Sequence, residues 1–352
     1  MLSTFITYNA NHLITMTYTV YLRPSNQHFY VEPQEPLLTA ALKQHLLLPY
    51  SCRGGSCGAC KAKLLSGQID YLIPPSYKSQ LAKDEILLCL ATAQTDLEIA
   101  STLTQSTQGI TDTKKMPCRV EKLQKLSEDV MQLWLKIPEH EALHFQAGQY
   151  LDILLNDGRK RSFSIASTVA DLPLIELHIR RVNDGCFTQQ VFDSLKVKDI
   201  LRIELPLGAF FLRQDTQLPI LFVAGGTGFA PVKAMIQQAL AENRQREMIF
   251  YWGVRHQQDL YMHDTITQWA KDYPFIHYVP VLSEPLAEDQ WQGKTGLVHE
   301  VVLQDIPHLM DYVVYASGPP VMVATAHQHF IARGLPATQF YSDPFEFAKD
   351  KK

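Results

Sequence analysis

Along the chain the spacing of apolar positions changes character several times. Tyr18-Thr-Val-Tyr-Leu22 alternates as a half-buried strand does, and His28-Phe-Tyr-Val31 resumes the alternation after the turn signal Pro24-Ser-Asn26, so the two predict a hairpin. From Pro36 to Leu46 the apolar side chains fall at helical spacing, through Leu37, Leu38, Ala41, Leu42 and Leu46. Ser101 to Lys115 is polar, rich in Thr, Ser and Gln, has no period, and reads as a linker. Short alternating segments then recur at Cys118–Leu123, Val130–Ile137, Tyr150–Leu155, Ser162–Ser167, Leu174–Val182 and Ile200–Leu205, with turn signals such as Asn156-Asp-Gly158 between them. Interrupted by one helical stretch near Thr188–Leu195, this pattern predicts a small antiparallel barrel. Beyond Leu218 apolar runs of buried-strand length, Ile220–Ala224, Met248–Gly253, His277–Leu282 and Tyr312–Ser317, are joined by helical spacing over Pro231–Asn243 and Val321–Arg333. That alternation predicts an α/β doubly wound parallel sheet. No repeat of solenoid period is present.

The expected organisation is an N-terminal arm (1–15), a first strand-and-helix unit (16–101), the linker (102–115), the barrel (116–214) and the α/β domain (215–352). A chain of 352 residues has ample length for such cores. Charge narrows the partners. With 36 acidic against 32 basic residues the net charge is -4, so there is no basic field for nucleic acid or for stable association with an anionic membrane. No apolar run approaches the ~20 residues that span a bilayer. The first fifteen residues lack Lys, Arg and a small-residue cleavage site, and read as a loose arm or an over-long start ahead of Met16 rather than a signal peptide. A soluble, cytoplasmic protein is expected.

Candidate chemistry enters with the cysteines. Cys52-Arg-Gly-Gly-Ser-Cys57-Gly-Ala-Cys60, followed by Cys89, has the C-x4-C-x2-C…C spacing of a plant-type [2Fe–2S] site. Four thiolates must converge on two irons, and Gly54, Gly55 and Gly58 let backbone N–H groups approach the sulfurs. The alternative is four buried or zinc-binding cysteines, although zinc favours C-x2-C pairs on both sides. Cys118 and Cys186 read as buried small hydrophobes. Arg161-Ser-Phe-Ser164 opens a predicted barrel strand, where a guanidinium can fork onto a phosphate, Phe163 can cover a flavin ring and Ser164 can hydrogen-bond its edge. Arg180 precedes Gly185-Cys-Phe-Thr188 at a helix start suited to a pyrophosphate. Gly225-Gly-Thr227-Gly228 turns from strand to helix ahead of Pro231, and Ser317-Gly318-Pro319-Pro320 repeats the arrangement at a later strand; both suit a dinucleotide. No hydrolase or zinc-protease motif is present, and the thirteen histidines have no metal spacing and read as surface or packing residues.

Taken in order, these motifs resemble the ferredoxin-linked branch of the ferredoxin–NADP reductase superfamily, over roughly Tyr18 to Phe345. The resemblance implies a β-grasp-like ferredoxin domain (α+β) with Cys52, Cys57, Cys60 and Cys89 as ligands of a [2Fe–2S] cluster, an FAD-binding antiparallel β-barrel and an NADH-binding α/β domain. It assigns Arg161 to the flavin phosphate, Phe163 and Ser164 to the flavin ring, and Gly185 and Thr188 to the pyrophosphate turn. Phe163, Ser164 and Ser317 are then expected near hydride transfer, which needs no general acid or base. Ser317 stands where the family often has Cys, and Leu205 where it usually has Gly.

The implied path runs from NADH through FAD and the cluster to an electron-accepting protein. Two subgroups compete for that partner. Leu221–Lys233, Tyr251-Trp-Gly253, His277–Val281 and Tyr341-Ser-Asp343 look closest to the reductases that serve a PMP-dependent CDP-sugar dehydratase. The other subgroup comprises reductase components that serve a terminal oxygenase. A non-catalytic electron carrier or redox sensor is the remaining class, against which the flavin and dinucleotide motifs argue. Val254–Leu260, with one Arg and one Asp, predicts NADH over NADPH, since a 2′-phosphate needs more positive charge.

Overall fold

The computed structural model describes residues 17–77, 81–103 and 112–345, and the expected arm (1–15) and most of the expected linker lie outside them. The chain separates into two compact units, residues 1–111 and 112–352. In the first, β1 (Tyr18–Arg23) and β2 (His28–Val31) form the predicted hairpin, and α1 (Leu37–Lys43) buries Leu37, Leu38, Ala40 and Ala41. There follow β3 (Lys61–Ser66), β4 (Ile69–Tyr71), β5 (Glu85–Leu87), β6 (Ala91–Ala93) and β7 (Leu97–Ala100). The main sheet runs β2-β1-β7-β3-β5, with β1 and β7 parallel at its centre, and β4 pairs with β6 beside it. A helix crossing a mixed sheet of this order is the α+β ferredoxin fold.

The second unit opens with the barrel: β8 (Lys114–Lys125), β9 (Val130–Lys136), β10 (Tyr150–Leu154), β11 (Lys160–Ser164), β12 (Leu174–Arg180), α2 (Cys186–Asp193) and β13 (Ile200–Leu207). All pairs are antiparallel in the order β11-β10-β13-β8-β9-β12, and a bridge from Ile165 to Leu177 joins the two edges. Alternate residues such as Val120, Leu133, Leu135, Leu151, Ile153, Leu177 and Ile203 fill its interior. Two expectations change here. Lys114 and Lys115, read as linker, already pair with Leu205 and Glu204 in β8. Cys186, read as a buried hydrophobe, is exposed because it opens α2 at the barrel surface, whereas Cys118 is buried.

The α/β half comprises β14 (Ile220–Gly225), α3 (Phe229–Ala241), β15 (Met248–Val254), α4 (His263–Asp272), β16 (Ile276–Leu282), β17 (Lys294–Thr295), α5 (Val298–Asp305), β18 (Val313–Gly318), α6 (Pro320–Ala332) and β19 (Phe340–Pro344). The sheet is parallel throughout, ordered β17-β16-β15-β14-β18-β19. Its strands read as unbroken apolar runs because both faces are covered: Ile220, Phe222 and Ala224 enter one core, Leu221 and Val223 the other. Two helices escape the periodicity. In α4 only Ile266 is fully buried, and in α5 the β-branched Val298, Val301 and Val302 mimic a strand.

Strand order reverses between β14 and β18, so their following loops diverge and leave a crevice at the carboxyl ends of the strands. The start of α3 is held by Phe229, which is fully buried and stacks on Trp252 at 4.4 Å and Phe250 at 5.7 Å between ring centroids. Phe229→Ala is therefore expected to cost about 3–5 kcal/mol of stability, by lost burial plus a residual cavity. A lowered urea midpoint for the 112–352 unit is the measurement that checks it.

Candidate functional site

The cysteine loop owes its geometry to β3 and β5. Their ladder pairs Lys61 with Leu87, and the Leu88 N–H donates to the Cys60 carbonyl at 3.1 Å, which brings Cys89 beside Cys60 across twenty-nine residues of sequence. The thiols meet as two pairs, Cys52 with Cys57 and Cys60 with Cys89. The Cys52 sulfur accepts from the Gly54 N–H at 3.3 Å and the Ser56 hydroxyl at 3.4 Å, and the Ala59 N–H reaches Cys57 at 3.5 Å. Gly55 must be glycine: its φ is +73° and a Cβ would come within 2.3 Å of the Leu90 side chain. The hydrogen bond from Cys57, helped by Ser56 and Gly54, lowers the Cys52 thiol to about 5, while Cys57 is pushed up. Cys60 likewise drives Cys89 down and is itself raised. Four sulfurs gathered in two pairs are the donor set that a [2Fe–2S] cluster would take.

At the barrel rim, β11 sets Arg161, Phe163 and Ser164 in one short strand. Phe163 is half-buried with its ring 5.7 Å from Phe187, and the Arg161 guanidinium donates to the Lys160 carbonyl at 2.8 Å. Ser164 is engaged: its hydroxyl donates to the buried Asp343 carboxylate at 2.7 Å, a bond between residues 179 apart in sequence. Asp343 stands opposite Ser317 in the β18–β19 ladder, so one acid lies between the two serines read from the sequence. Ser317, fully buried, donates to the Gly228 carbonyl at 2.6 Å. Thr188 is also turned inward: its hydroxyl accepts from the Val182 N–H at 3.1 Å and donates to the Gly185 carbonyl at 3.0 Å, closing the turn that starts α2. Gly185 supplies no side-chain cap to α2, and the start of a helix is a place whose amides and dipole suit an anion. A half-open aromatic, a guanidinium and a helix N-terminus on one rim fit a flavin dinucleotide.

The crevice at the strand ends is a cavity of about 790 Å³. Gly225, Gly226, Pro319 and Arg180 form one wall, Gly253, Arg255, His256 and Asp259 another, and Leu297, His299, Glu300 and His329 the far end. Thr227, Gly228 and Ser317 are buried behind it, and Gly318 packs with its Cα side against Gly225. A Cβ on Gly228 would lie 2.2 Å from the Ser317 carbonyl, so the two loops close only over glycine. Arg180 belongs to this cavity and is paired with Asp129 at 2.9 Å, rather than to the α2 turn with which the sequence grouped it. A crevice at the strand ends with glycines in its wall and two guanidinium groups, Arg180 and Arg255, fits a pyridine dinucleotide.

Three contributors escaped the sequence reading. Asp343 carries no motif beyond its place after Tyr341-Ser342. Trp252 donates its indole N–H to the Gly226 carbonyl at 2.9 Å and so shapes the first loop from below. Behind that loop, Glu176, His178 and Lys233 form a buried cluster. Burial would raise the Glu176 carboxyl, but the His178 hydrogen bond and the Lys233 charge outweigh it and bring it down to about 2. Burial holds His178 below its usual range, and its place in the buried cluster agrees with the surface or packing role expected of most of the histidines.

These sites and folds define an iron–sulfur flavoprotein oxidoreductase. A family model for the 2Fe-2S iron-sulfur cluster binding domain matches residues 20–94, one for the oxidoreductase FAD-binding domain matches 117–212, and one for the oxidoreductase NAD-binding domain matches 222–328. The chain belongs to the ferredoxin-linked branch of the ferredoxin–NADP reductase superfamily, whose members pass electrons from NADH through FAD and a [2Fe–2S] cluster to a partner enzyme. It is 40% identical to CDP-6-deoxy-L-threo-D-glycero-4-hexulose-3-dehydrase reductase of Yersinia pestis over 94% of this chain and 99% of that one. It is 34% identical to terephthalate 1,2-dioxygenase reductase component 1 of Comamonas sp., over 94% and 98% of the two chains. Among solved structures, the Amycolatopsis cytochrome P450 reductase GcoB superposes with a TM-score of 0.73 at 29% identity, covering 94% of this chain and 99% of that one. No helix among the described residues is long and apolar enough to cross a membrane.

The cavity sets three carboxylates, Asp129, Asp259 and Glu300, against two guanidinium groups, Arg180 and Arg255, and Asp129 already neutralises Arg180. A second phosphate dianion on the adenosine ribose would add to that negative charge. We expect kcat/KM for NADH to exceed that for NADPH by at least about tenfold, equivalent to ~1.4 kcal/mol. Steady-state comparison of the two nucleotides checks this, and equal values would refute it.

Proposed function

We propose that this chain is the NADH-dependent reductase for a PMP-dependent dehydratase acting on a CDP-linked deoxysugar, the activity of a CDP-6-deoxy-Δ3,4-glucoseen reductase, and that it works in the cytoplasm. The observation that carries the proposal is the 40% identity to a hexulose-dehydrase reductase across 94% of the chain, against 34% to a terephthalate dioxygenase reductase over the same span. When bound, the nicotinamide supplies a hydride, the flavin divides its two electrons, and the cluster carries them singly.

The chain's own residues do the positioning. Arg161 takes the flavin phosphate, the helix start at Gly185–Thr188 receives the pyrophosphate, and Phe163 and Ser164 meet the ring. Asp343 accepts the Ser164 hydroxyl proton in a hydrogen bond and so fixes which lone pairs the serine presents. Gly225, Gly226, Thr227, Gly228, Gly318 and Pro319 admit the dinucleotide backbone, and Ser317 braces Gly228 from behind. Cys52, Cys57, Cys60 and Cys89 hold the cluster.

Partner identity is tested by supplying NADH and the reductase to a purified CDP-4-keto-6-deoxysugar dehydratase loaded with its substrate, and separately to a terephthalate-type terminal oxygenase. Deoxygenated CDP-sugar formed at catalytic rates, with little oxygenase turnover, is the expected result. The opposite ranking would replace the proposal with the oxygenase reading. A second experiment isolates the cluster. Cys57→Ala leaves Cys52 without its partner thiol and three donors for a site that needs four. We expect the variant to lose its visible iron–sulfur absorbance, keep FAD and full NADH–ferricyanide activity, and reduce the partner at background rate. Lost ferricyanide activity with FAD retained would reverse the order of the two centres.

A further inference from the structure

Glu176, His178 and Arg180 alternate along β12 and so share one face of the strand. That face is seated on the beginning of α3. Glu176 meets Lys233, His178 lies 6.1 Å from the Phe229 ring, and the Arg180 guanidinium comes within 2.6 Å of where a Cβ on Gly226 would stand. Lys233 is buried, and its three ammonium hydrogens are all used, on the Ala166 carbonyl at 2.9 Å, Glu176 Oε2 at 2.7 Å and Gln237 Oε1 at 3.1 Å. Glu176 is saturated in turn, its Oε1 accepting from Gln132 at 2.5 Å and His178 Nε2 at 2.9 Å. His178 Nε2 donates to the Glu176 carboxylate, and its Nδ1 is hydrogen-bonded to the Tyr261 hydroxyl at 3.1 Å. The charged and titratable groups of β12, α3 and the Tyr261 segment therefore close on one another.

Two of the three Lys233 bonds leave its own helix for the barrel, and one lands two residues beyond Ser164 at the flavin rim. Lys233 is also one turn past Phe229 and the Gly226–Gly228 turn. A single side chain thus spans the rim segment that meets the flavin and the loop that meets the nucleotide. Apolar packing would allow the two halves to slide, whereas three directional hydrogen bonds from one nitrogen fix distance and rotation together. Buried ion pairs of this kind are often no more stabilising than an apolar pair of the same volume, which separates their geometric role from a stabilising one.

We infer that Lys233, held by Glu176, is a positioning residue for hydride transfer: it sets the nucleotide loop at its working distance from the flavin rim. The inference is independent of which protein accepts the electrons. The test is Lys233→Met/Glu176→Gln in the FAD-loaded full chain, which removes both charges while keeping an acceptor for Gln132 and His178. Stopped-flow flavin reduction at saturating NADH is expected to slow by about 10–100-fold, as a sub-ångström to 1 Å misplacement of reacting groups does. The dissociation constant for NADH should change by less than about threefold. FAD content and thermal midpoint should stay near wild type, and the long-wavelength charge-transfer absorbance of reduced flavin with NAD⁺ should weaken. Wild-type reduction rate and charge-transfer absorbance would overturn the inference, as would a rate loss matched by loss of FAD. Lys233→Arg provides an arm that keeps the charge: a planar fork cannot place hydrogens on the same three acceptors. An intermediate rate with unchanged melting supports positioning, and a wild-type rate refutes it.

Discussion

The approach of two backbones at the sheet's switch point constrains everything built around the nucleotide cavity. The loop after β14 and the loop after β18 touch through Gly228 and the Ser317 carbonyl, with no room for a Cβ between them. Because those strands are neighbours in one parallel sheet, their following helices must leave on opposite sides, and the crevice opens where the loops part. Trp252 supports the first loop from below and Ser317 ties it to the second. The same register then delivers Asp343, one strand further out, to Ser164 of the barrel. The link between the barrel rim at Ser164 and the loops at the sheet's switch point is thus a consequence of strand order, extended by side chains only at its last step.

The cysteine loop obeys a different constraint, set by charge. Four thiols in one loop cannot ionise independently, and within each pair one thiol is lowered while its partner is raised. Backbone N–H groups from Gly54 and Ala59 supply part of the compensation.

What the sequence made legible follows from the range of the interactions involved. Motifs confined to a few residues, such as Cys52–Cys60, Arg161–Ser164 and Gly225–Gly228, announce themselves because turn geometry and spacing are local. The period of apolar residues found the barrel strands and the four central strands of the α/β sheet, since burial on one or two faces leaves a short-range signature, and it missed the edge strands β17 and β19. The period failed where burial was thin or the residue types ambiguous, in α4 and α5. Partnerships formed by tertiary contact were invisible: Ser164 with Asp343, Trp252 with Gly226, Glu176 with Lys233. Each joins residues 26 to 179 positions apart, and neither member looks unusual alone. Thr188 and Ser317 illustrate the converse, in that a polar residue inside a binding motif can spend its hydroxyl on the loop's own backbone and contribute shape in place of contact.

That division explains why Ser317, Trp252 and Lys233 make their hydrogen bonds behind the binding surfaces and not on them. A ligand-facing group must remain available to its ligand, so it cannot also brace the scaffold. The glycines of the cavity satisfy the first requirement by offering their backbone. Rigidity has to be supplied one layer deeper, by groups whose hydrogen bonds are already complete. Ser317 under Gly228, Trp252 under Gly226, and Lys233 between Ala166 and Glu176 all meet that condition, and all are buried. Hydride transfer between two stacked rings asks for a fixed separation and no proton donor. The chemistry therefore favours completed hydrogen bonds behind the loops over titratable groups in front of them.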